Sequence, residues 1–192
     1  MTTATVSWPR SAGPLELRQP TPELLDRVLE WRNDPEVTRW LLKTTVEPEA
    51  FRTSWLDGVA DPADHSGIAM LGDEVVGTAS LWLSDGMGQS HVPDGPWRSA
   101  EAGIGYLVAP GYAGRGYATE LGRAMLALAF DELGVHRVTA GCYAENVGSW
   151  RVMEKLGMRR EQHGLRDSWH AELGWVDGYS YAMLAEEWRA AG

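Results

Sequence analysis

The 192-residue sequence predicts an α/β fold, a single domain over residues 1–192 whose mixed central sheet of about six to seven strands is flanked by helices. Three observations carry this reading. The length suits one hydrophobic core and is short for two. The apolar pattern runs first as a two-strand meander and then as strand–helix–strand–helix–strand. A glycine-rich stretch joins one mid-chain strand to the helix after it.

Residues 1–13 read as a flexible polar leader, and Leu15–Arg18 as a strand of alternating character. Pro22 opens a helix in which Leu24, Leu25, Val28, Leu29 and Trp31 form an apolar stripe. Asn33-Asp34-Pro35 breaks it, and a second helix is expected over Pro48–Gly58. Ile68–Leu71 and Val75–Trp82 read as a hairpin turned at Gly72-Asp73. Residues 84–99 are rich in glycine, proline and polar side chains and predict a long loop. Gly103–Val108 is the next strand, followed by a helix over Tyr117–Leu133 with Leu121, Met125, Leu128 and Glu132 on one face and Gly134 as its stop. His136–Tyr143 is a strand, and a helix starts at Asn146 and ends at Gly157. Met158–His163 and Tyr179–Leu184 are the last strand candidates.

Composition narrows the functions. Seventeen basic and twenty-seven acidic residues give a net charge of −10, which disfavours nucleic acid and anionic membranes as partners. The single cysteine, Cys142, excludes an internal disulfide framework and a multi-cysteine zinc site, and a reducing, cytoplasmic setting follows. No stretch approaches the roughly 20 apolar residues needed to span a bilayer, and the first residues lack the pattern of a signal peptide. No His, Asp and Glu spacing suggests a metal.

Residues 111–120, Gly-Tyr-Ala-Gly-Arg-Gly-Tyr-Ala-Thr-Glu, carry the most chemistry. Glycines between a strand and a helix let backbone N–H groups converge on one anion, and the helix directs its positive end at the same point. A diphosphate is the natural guest. A P-loop would need Lys where Tyr117 stands, and a dinucleotide fingerprint would need Gly or Ala where Thr119 stands. A nucleotide-binding domain is disfavoured on both counts.

The same segment resembles the acetyl-CoA motif of the GNAT superfamily of N-acetyltransferases, Gln/Arg-x-x-Gly-x-Gly/Ala. Ala113 stands where Gln or Arg is usual, while Gly116 and Ala118 match. Residues 31–37 (WRNDPEV), 104–106 (IGY), 114–120 (GRGYATE) and Asn146…Ser149…Glu154-Lys155-Leu156-Gly157-Met158 occur in the order and spacing of the branch that contains the ribosomal-protein N-terminal acetyltransferases. Asp177, Tyr181, Leu184 and Glu187-Trp188 complete the resemblance, which covers about residues 14–190.

The resemblance implies a splayed parallel strand pair, Gly103–Val108 and His136–Tyr143, with pantetheine in the gap. It places the thioester carbonyl near the backbone of Leu107 or Val108, and the pyrophosphate against Ala113, Gly114, Arg115, Gly116, Tyr117, Ala118 and Thr119. Arg115, Arg123, Arg151, Lys155, Arg159 and Arg160 gather around the two helices that would face the cofactor. Asn146 is expected to touch pantetheine or acceptor and Ser149 to protonate the departing sulfur, although Asn is also a favoured N-cap with its partner amide three residues on. Tyr143 is a second candidate acid. The branch often carries Glu just before the IGY run; here Gly103 occupies that position, leaving Glu101 and Asp167 as candidate bases, with His163 and His170 behind them. Trp31, Trp40 and Trp97 are expected near the acceptor. The expected activity is acetyl transfer from acetyl-CoA to a primary amine, at a protein N-terminus or on a small molecule, with a homodimer as the expected assembly. The alternative is a non-catalytic CoA-binding or sensory module.

Overall fold

A computed structural model describes residues 6–89 and 94–191. Its strands are β1 (Arg10–Ala12), β2 (Leu15–Arg18), β3 (Gly67–Leu71), β4 (Glu74–Ser84), β5 (Glu101–Val108), β6 (Arg137–Tyr143), β7 (Arg159–His170) and β8 (Gly174–Leu184). Its helices are α1 (Pro22–Arg32), α2 (Pro35–Thr38), α3 (Pro48–Ala60), α4 (Tyr117–Ala127), α5 (Val147–Lys155) and α6 (Ala185–Ala191). All eight strands form one sheet in the order β1-β2-β3-β4-β5-β6-β8-β7, antiparallel except for β5 beside β6.

The sheet therefore exceeds the expected six to seven strands, and the addition comes from inside the stretch expected as a leader. Gly13, at φ 61, folds β1 back onto β2, where Ser11 pairs with Glu16. Ala12 is 3% exposed, and Arg10 forms an ion pair with Glu132. Three residues are too few to display an alternating pattern.

Helices cover both faces. On one side Leu121, Met125 and Leu126 of α4 and Met153 of α5 pack on Ala69, Val76, Ala79 and Leu81. On the other, Leu25 and Val28 of α1 and Phe51 of α3 pack on Ile68, Met70 and Val75. Strand β3 sends successive side chains to opposite cores, as a strand buried on both faces must.

Helix α4 ends in a π-helical turn, Leu128–Glu132, closed by a bond from the Leu133 amide to the Leu128 carbonyl at 3.0 Å. Leu128 stays buried, whereas Glu132, expected on the same face, is exposed and meets Arg10. The β7–β8 hairpin is longer than expected at its turn because polar residues there mask the pattern; a register shift falls between Gly164 and Ser168. In the 84–99 loop Asp85 accepts a bond from the Ser99 amide at 2.8 Å and pairs with Arg98, while residues 90–93 lie outside the described residues. Among the described residues no helix is long and apolar enough to cross a membrane.

Candidate active site

Strands β5 and β6 are in register only from Glu101↔Arg137 to Gly103↔Thr139. Beyond that β5 keeps its ladder with β4 as far as Val108, and β6 keeps its ladder with β8 as far as Tyr143. Residues 104–108 and 140–143 therefore diverge and leave a gap in the middle of the sheet. The Ala100 carbonyl accepts from Arg137 on the β6 side at 3.2 Å, and the Ala109 amide donates to Val76 on the β4 side at 2.8 Å. Backbone groups alternate sides along a strand, so Ile104, Tyr106 and Val108 present their amides to the gap. Leu107, in the other phase, faces Thr78.

At the C-terminal mouth of β5 lies the glycine segment. Gly111, Gly114 and Gly116 adopt φ of 80°, 76° and 85°, which L side chains rarely take. A Cβ at any of the three would have no atom within 4 Å, so the space above them is open. Gly116 is the left-handed N-cap of α4 and supplies no side-chain cap to the helix. The Thr119 amide folds back to the Gly116 carbonyl at 2.9 Å, which leaves the amides of Tyr117 and Ala118 as first-turn donors aimed along the helix axis. Ala113, Gly114 and Arg115 are exposed on this rim. Arg115 itself bends back, donating to the Gly111 carbonyl at 2.9 Å and covering the Tyr112 ring at 5.3 Å. The cradle is thus made of backbone, and the residues present fit a diphosphate.

From the gap a cleft of about 1290 Å³ extends across the sheet toward α1 and α3. Leu107, Cys142, Asn146 and Ser149 are among the residues that line it. The Asn146 side chain accepts from the Ser149 amide at 3.2 Å, so it does cap α5. The Tyr106 hydroxyl donates to the Ser149 carbonyl at 3.1 Å and fixes the start of α5 to β5. Burial pushes the Tyr106 hydroxyl up to about 12 and the Cys142 thiol up to about 11. Both stay neutral at ordinary pH, and the Ser149 side chain lies beside the thiol.

The candidate bases occupy different surroundings. A Cβ on Gly103 would run into the Trp82 indole, which lies over the strand at that position. Glu101 is outside the cleft lining and has Arg137 at 3.9 Å, an arginine that also pairs with Glu161. Asp167 lines the cleft; its carboxylate lies over Gly164 and Gly178 and accepts from the Ser168 hydroxyl at 2.9 Å. His163 faces Asp177 at 2.6 Å, and the Arg166 amide and His163 together hold the Asp177 carboxyl below its usual range. His170 is structural: Nε2 donates to the Arg39 carbonyl at 2.7 Å, and its ring packs against Trp40 and Tyr143.

Of the three tryptophans expected near the acceptor, only Trp40 lines the cleft. Trp31 faces the α1–α3 core because the helical stripe turns it inward. Trp97 fills its own loop against Gly88 and Gly95. The cleft is instead walled by Trp55 and Trp82, by Arg32 and Arg137, and by Tyr179. Arg32 and Trp82 sit in segments already recognised, but which side chain turns inward depends on packing partners distant in the chain.

A mixed sheet split by one short parallel pair, with a glycine cradle at the N-terminus of the following helix, defines a CoA-binding acyltransferase fold. The family model described as the acetyltransferase (GNAT) domain matches residues 14–159, and the chain belongs to that family. An uncharacterized N-acetyltransferase, YnaD, of Bacillus subtilis (strain 168) is 44% identical over 85 residues, 44% of this chain and 49% of the relative. The probable N-acetyltransferase YjcK of the same organism is 35% identical over 102 residues, 53% of this chain and 51% of the relative. The matches thus span about half the length of these two relatives. The uncharacterized N-acetyltransferase p20 of Bacillus licheniformis is 25% identical over 91% of this chain and 94% of its own. Among solved structures, a GNAT-family acetyltransferase from Bacillus anthracis is 29% identical with a TM-score of 0.72, covering 90% of this chain and 96% of that one. The spermidine N-acetyltransferase of Vibrio cholerae, solved with CoA and spermine, has the same fold at a TM-score of 0.77 and 16% identity, covering 92% of this chain and 98% of its own.

Proposed function

We propose that this chain is an acetyl-CoA-dependent N-acetyltransferase that acetylates a primary amine by direct attack in a ternary complex. The observation that carries the reading is an open backbone cradle at Gly111–Gly116 just beyond the end of β5, together with the gap between β5 and β6 that opens into the cleft. When bound, acetyl-CoA supplies an activated thioester. The residues of the chain do the rest. The amides of Tyr117 and Ala118 and the glycine backbone hold the pyrophosphate. The gap-facing amides of Ile104 and Tyr106, which β6 leaves unpaired, serve as a ladder for the pantetheine arm.

The Val108 amide donates to the carbonyl oxygen as negative charge develops there. Of Leu107 and Val108, the two positions the resemblance offered, alternation favours Val108. The amine nitrogen bonds to the carbonyl carbon, the carbon–sulfur bond breaks, and the Ser149 hydroxyl gives its proton to the sulfur and regains one from solvent. Asp167 is the favoured proton acceptor, through water, because it borders the cleft and has no cationic partner among the described residues. Glu101 is second, being held toward Arg137. The motifs at residues 31–37 and 146–158 support placement on the ribosomal-protein acetyltransferase branch.

A screen of amines with acetyl-CoA, read by thiol release, tests this function. Acetylation of at least one amine at a rate above thioester hydrolysis is expected. Tight CoA binding with no transfer to any amine overturns it in favour of a non-catalytic CoA-binding module.

A further inference from the structure

Four arginines lie on or beside α1–α3, and three of them are neutralised: Arg27 by Glu74, Arg39 by Glu172 and Arg52 by Asp26. The fourth is different. Arg32, the last residue of α1, is 8% exposed and lines the cleft. Its Nη2 donates to the Lys43 carbonyl at 2.9 Å, and its buried Nη1 has no partner. Among the described residues no carboxylate pairs with it. The acids that border the cleft are engaged elsewhere. Glu47 caps α3 through the amides of Glu49 and Ala50, Glu161 pairs with Arg137 and Arg159, and Asp167 holds Ser168. Removing a guanidinium from water is costly, and one neutral carbonyl does not compensate for it. The same burial lowers the pKa of the group, the sign of a charge held without a counterion.

We propose that Arg32 receives an anionic group of the acceptor, a carboxylate, so that the substrate is an amine that also carries a carboxylate, of the amino-acid class. This rests on the acetyltransferase reading above. A planar guanidinium with Nη1 unused and Nη2 bonded only to a neutral carbonyl matches a carboxylate edge on. Lys43, whose carbonyl already meets Nη2, adds a second cation to the cleft wall, and Leu42 beside it is 91% exposed. At the far side Asp167 meets the amine. A polycation such as spermidine would set positive charge against Arg32 and Lys43, and is excluded by the same argument.

Two measurements on the whole protein test this and keep it apart from the acetyltransferase reading. In the CoA-saturated protein, calorimetry compares N-acetylated amino acids with their carboxamides, which needs no turnover. The acids are expected to bind at least about tenfold more tightly, the value of one charge-assisted bond. Thiol release then compares free amino acids, amino-acid amides, phosphoethanolamine and spermidine as acceptors. In Arg32→Gln the preference for acid over amide is expected to vanish through KM, with CoA affinity unchanged, and in Arg32→Lys to return in part. Since Arg32→Gln also loses the bond to Lys43, the wild-type comparison and Arg32→Lys decide the matter if that variant fails to fold. Equal binding of acids and amides, a preference for spermidine, or full preference retained in Arg32→Gln would each overturn the proposal. Phosphoethanolamine used as well as the amino acids would overturn the choice of carboxylate. Absence of thiol release with every amine, beside an intact acid-over-amide ratio, sinks the enzyme reading and leaves the Arg32 site standing.

Discussion

On its α4 side the candidate site is backbone: three glycines with positive φ, a helix terminus and the unpaired amides of β5. At its other end it meets side chains drawn from α1, the segment after it, β4 and the β7–β8 hairpin, among them Arg32, Trp40, Trp82 and Asp167. The first end needs only local sequence, because glycine conformation and helix polarity are properties of consecutive residues. The second depends on which of many polar and aromatic side chains the packing turns inward. A backbone site tolerates changes of side chain and fails when a Cβ is added; a side-chain site behaves in the opposite way.

The largest effect should fall where the two ends meet. Ser149→Ala should reduce kcat by about 10²–10⁴-fold, the usual contribution of a general acid. Its CoA affinity should change far less, because proton donation acts in the transition state. Unchanged kcat would reduce Ser149 to a residue whose amide Asn146 caps. Next is Gly116→Val. The site has open space, so the chain should fold, at a cost of about 1–2 kcal/mol for the left-handed conformation. The added bulk should stand over the α4 amides and weaken CoA binding by about 10²-fold by calorimetry, the loss of one or two charge-assisted bonds. Full affinity would break the contrast between the two ends.

A third test places a carboxylate at position 103. Gly103→Glu pushes on the Trp82 indole and should cost about 1–3 kcal/mol of stability, read as a lower Tm. Adding Trp82→Ala should recover most of it, since the two positions are coupled through contact. Additive losses would mean that the indole does not hold that space. The smallest effect concerns the base. Asp167→Asn should lower kcat/KM at neutral pH and recover as pH rises, because a lost acceptor is replaced by hydroxide. Glu101→Gln should leave the profile near that of wild type. Tyr106 and Cys142, pushed by burial to about 12 and about 11, contribute no inflection near neutrality. A larger loss in Glu101→Gln than in Asp167→Asn would reverse the assignment.

Strands and helices with strong periodicity were readable from the chain: α4 through Leu121, Met125 and Leu128, and β4 and β5 through their apolar runs. Strand β1 was not, since three residues carry no period. The far part of the β7–β8 hairpin was hidden by its exposure, for nearly all of β7 faces solvent and its residues are chosen for polarity rather than burial. Asn146, Ser149 and Asp167 all line the cleft, the first two from one short segment at the start of α5 and Asp167 from the β7–β8 hairpin. Trp31 and Trp97 do not join them, because a tryptophan side chain follows its nearest apolar neighbours, here the α1–α3 core and its own loop glycines. Arg32 lay unremarked inside the motif at 31–37, since a guanidinium without a counterion is visible only after every carboxylate has been placed.

The shortness of the β5–β6 ladder also has a mechanical side. Strands β1–β5 and β6–β8 form two leaves, each internally stitched along long ladders such as Gly77–Ser84 against Glu101–Val108 and Arg137–Tyr143 against Gly178–Leu184. They share only the seam from Glu101↔Arg137 to Gly103↔Thr139, with α4 and α5 laid behind it. A ligand lying between the free lips supplies the rungs the seam lacks. Binding would then act as a clasp, closing the leaves along their open length and adding to the tie across it, from the Tyr106 hydroxyl to the Ser149 carbonyl.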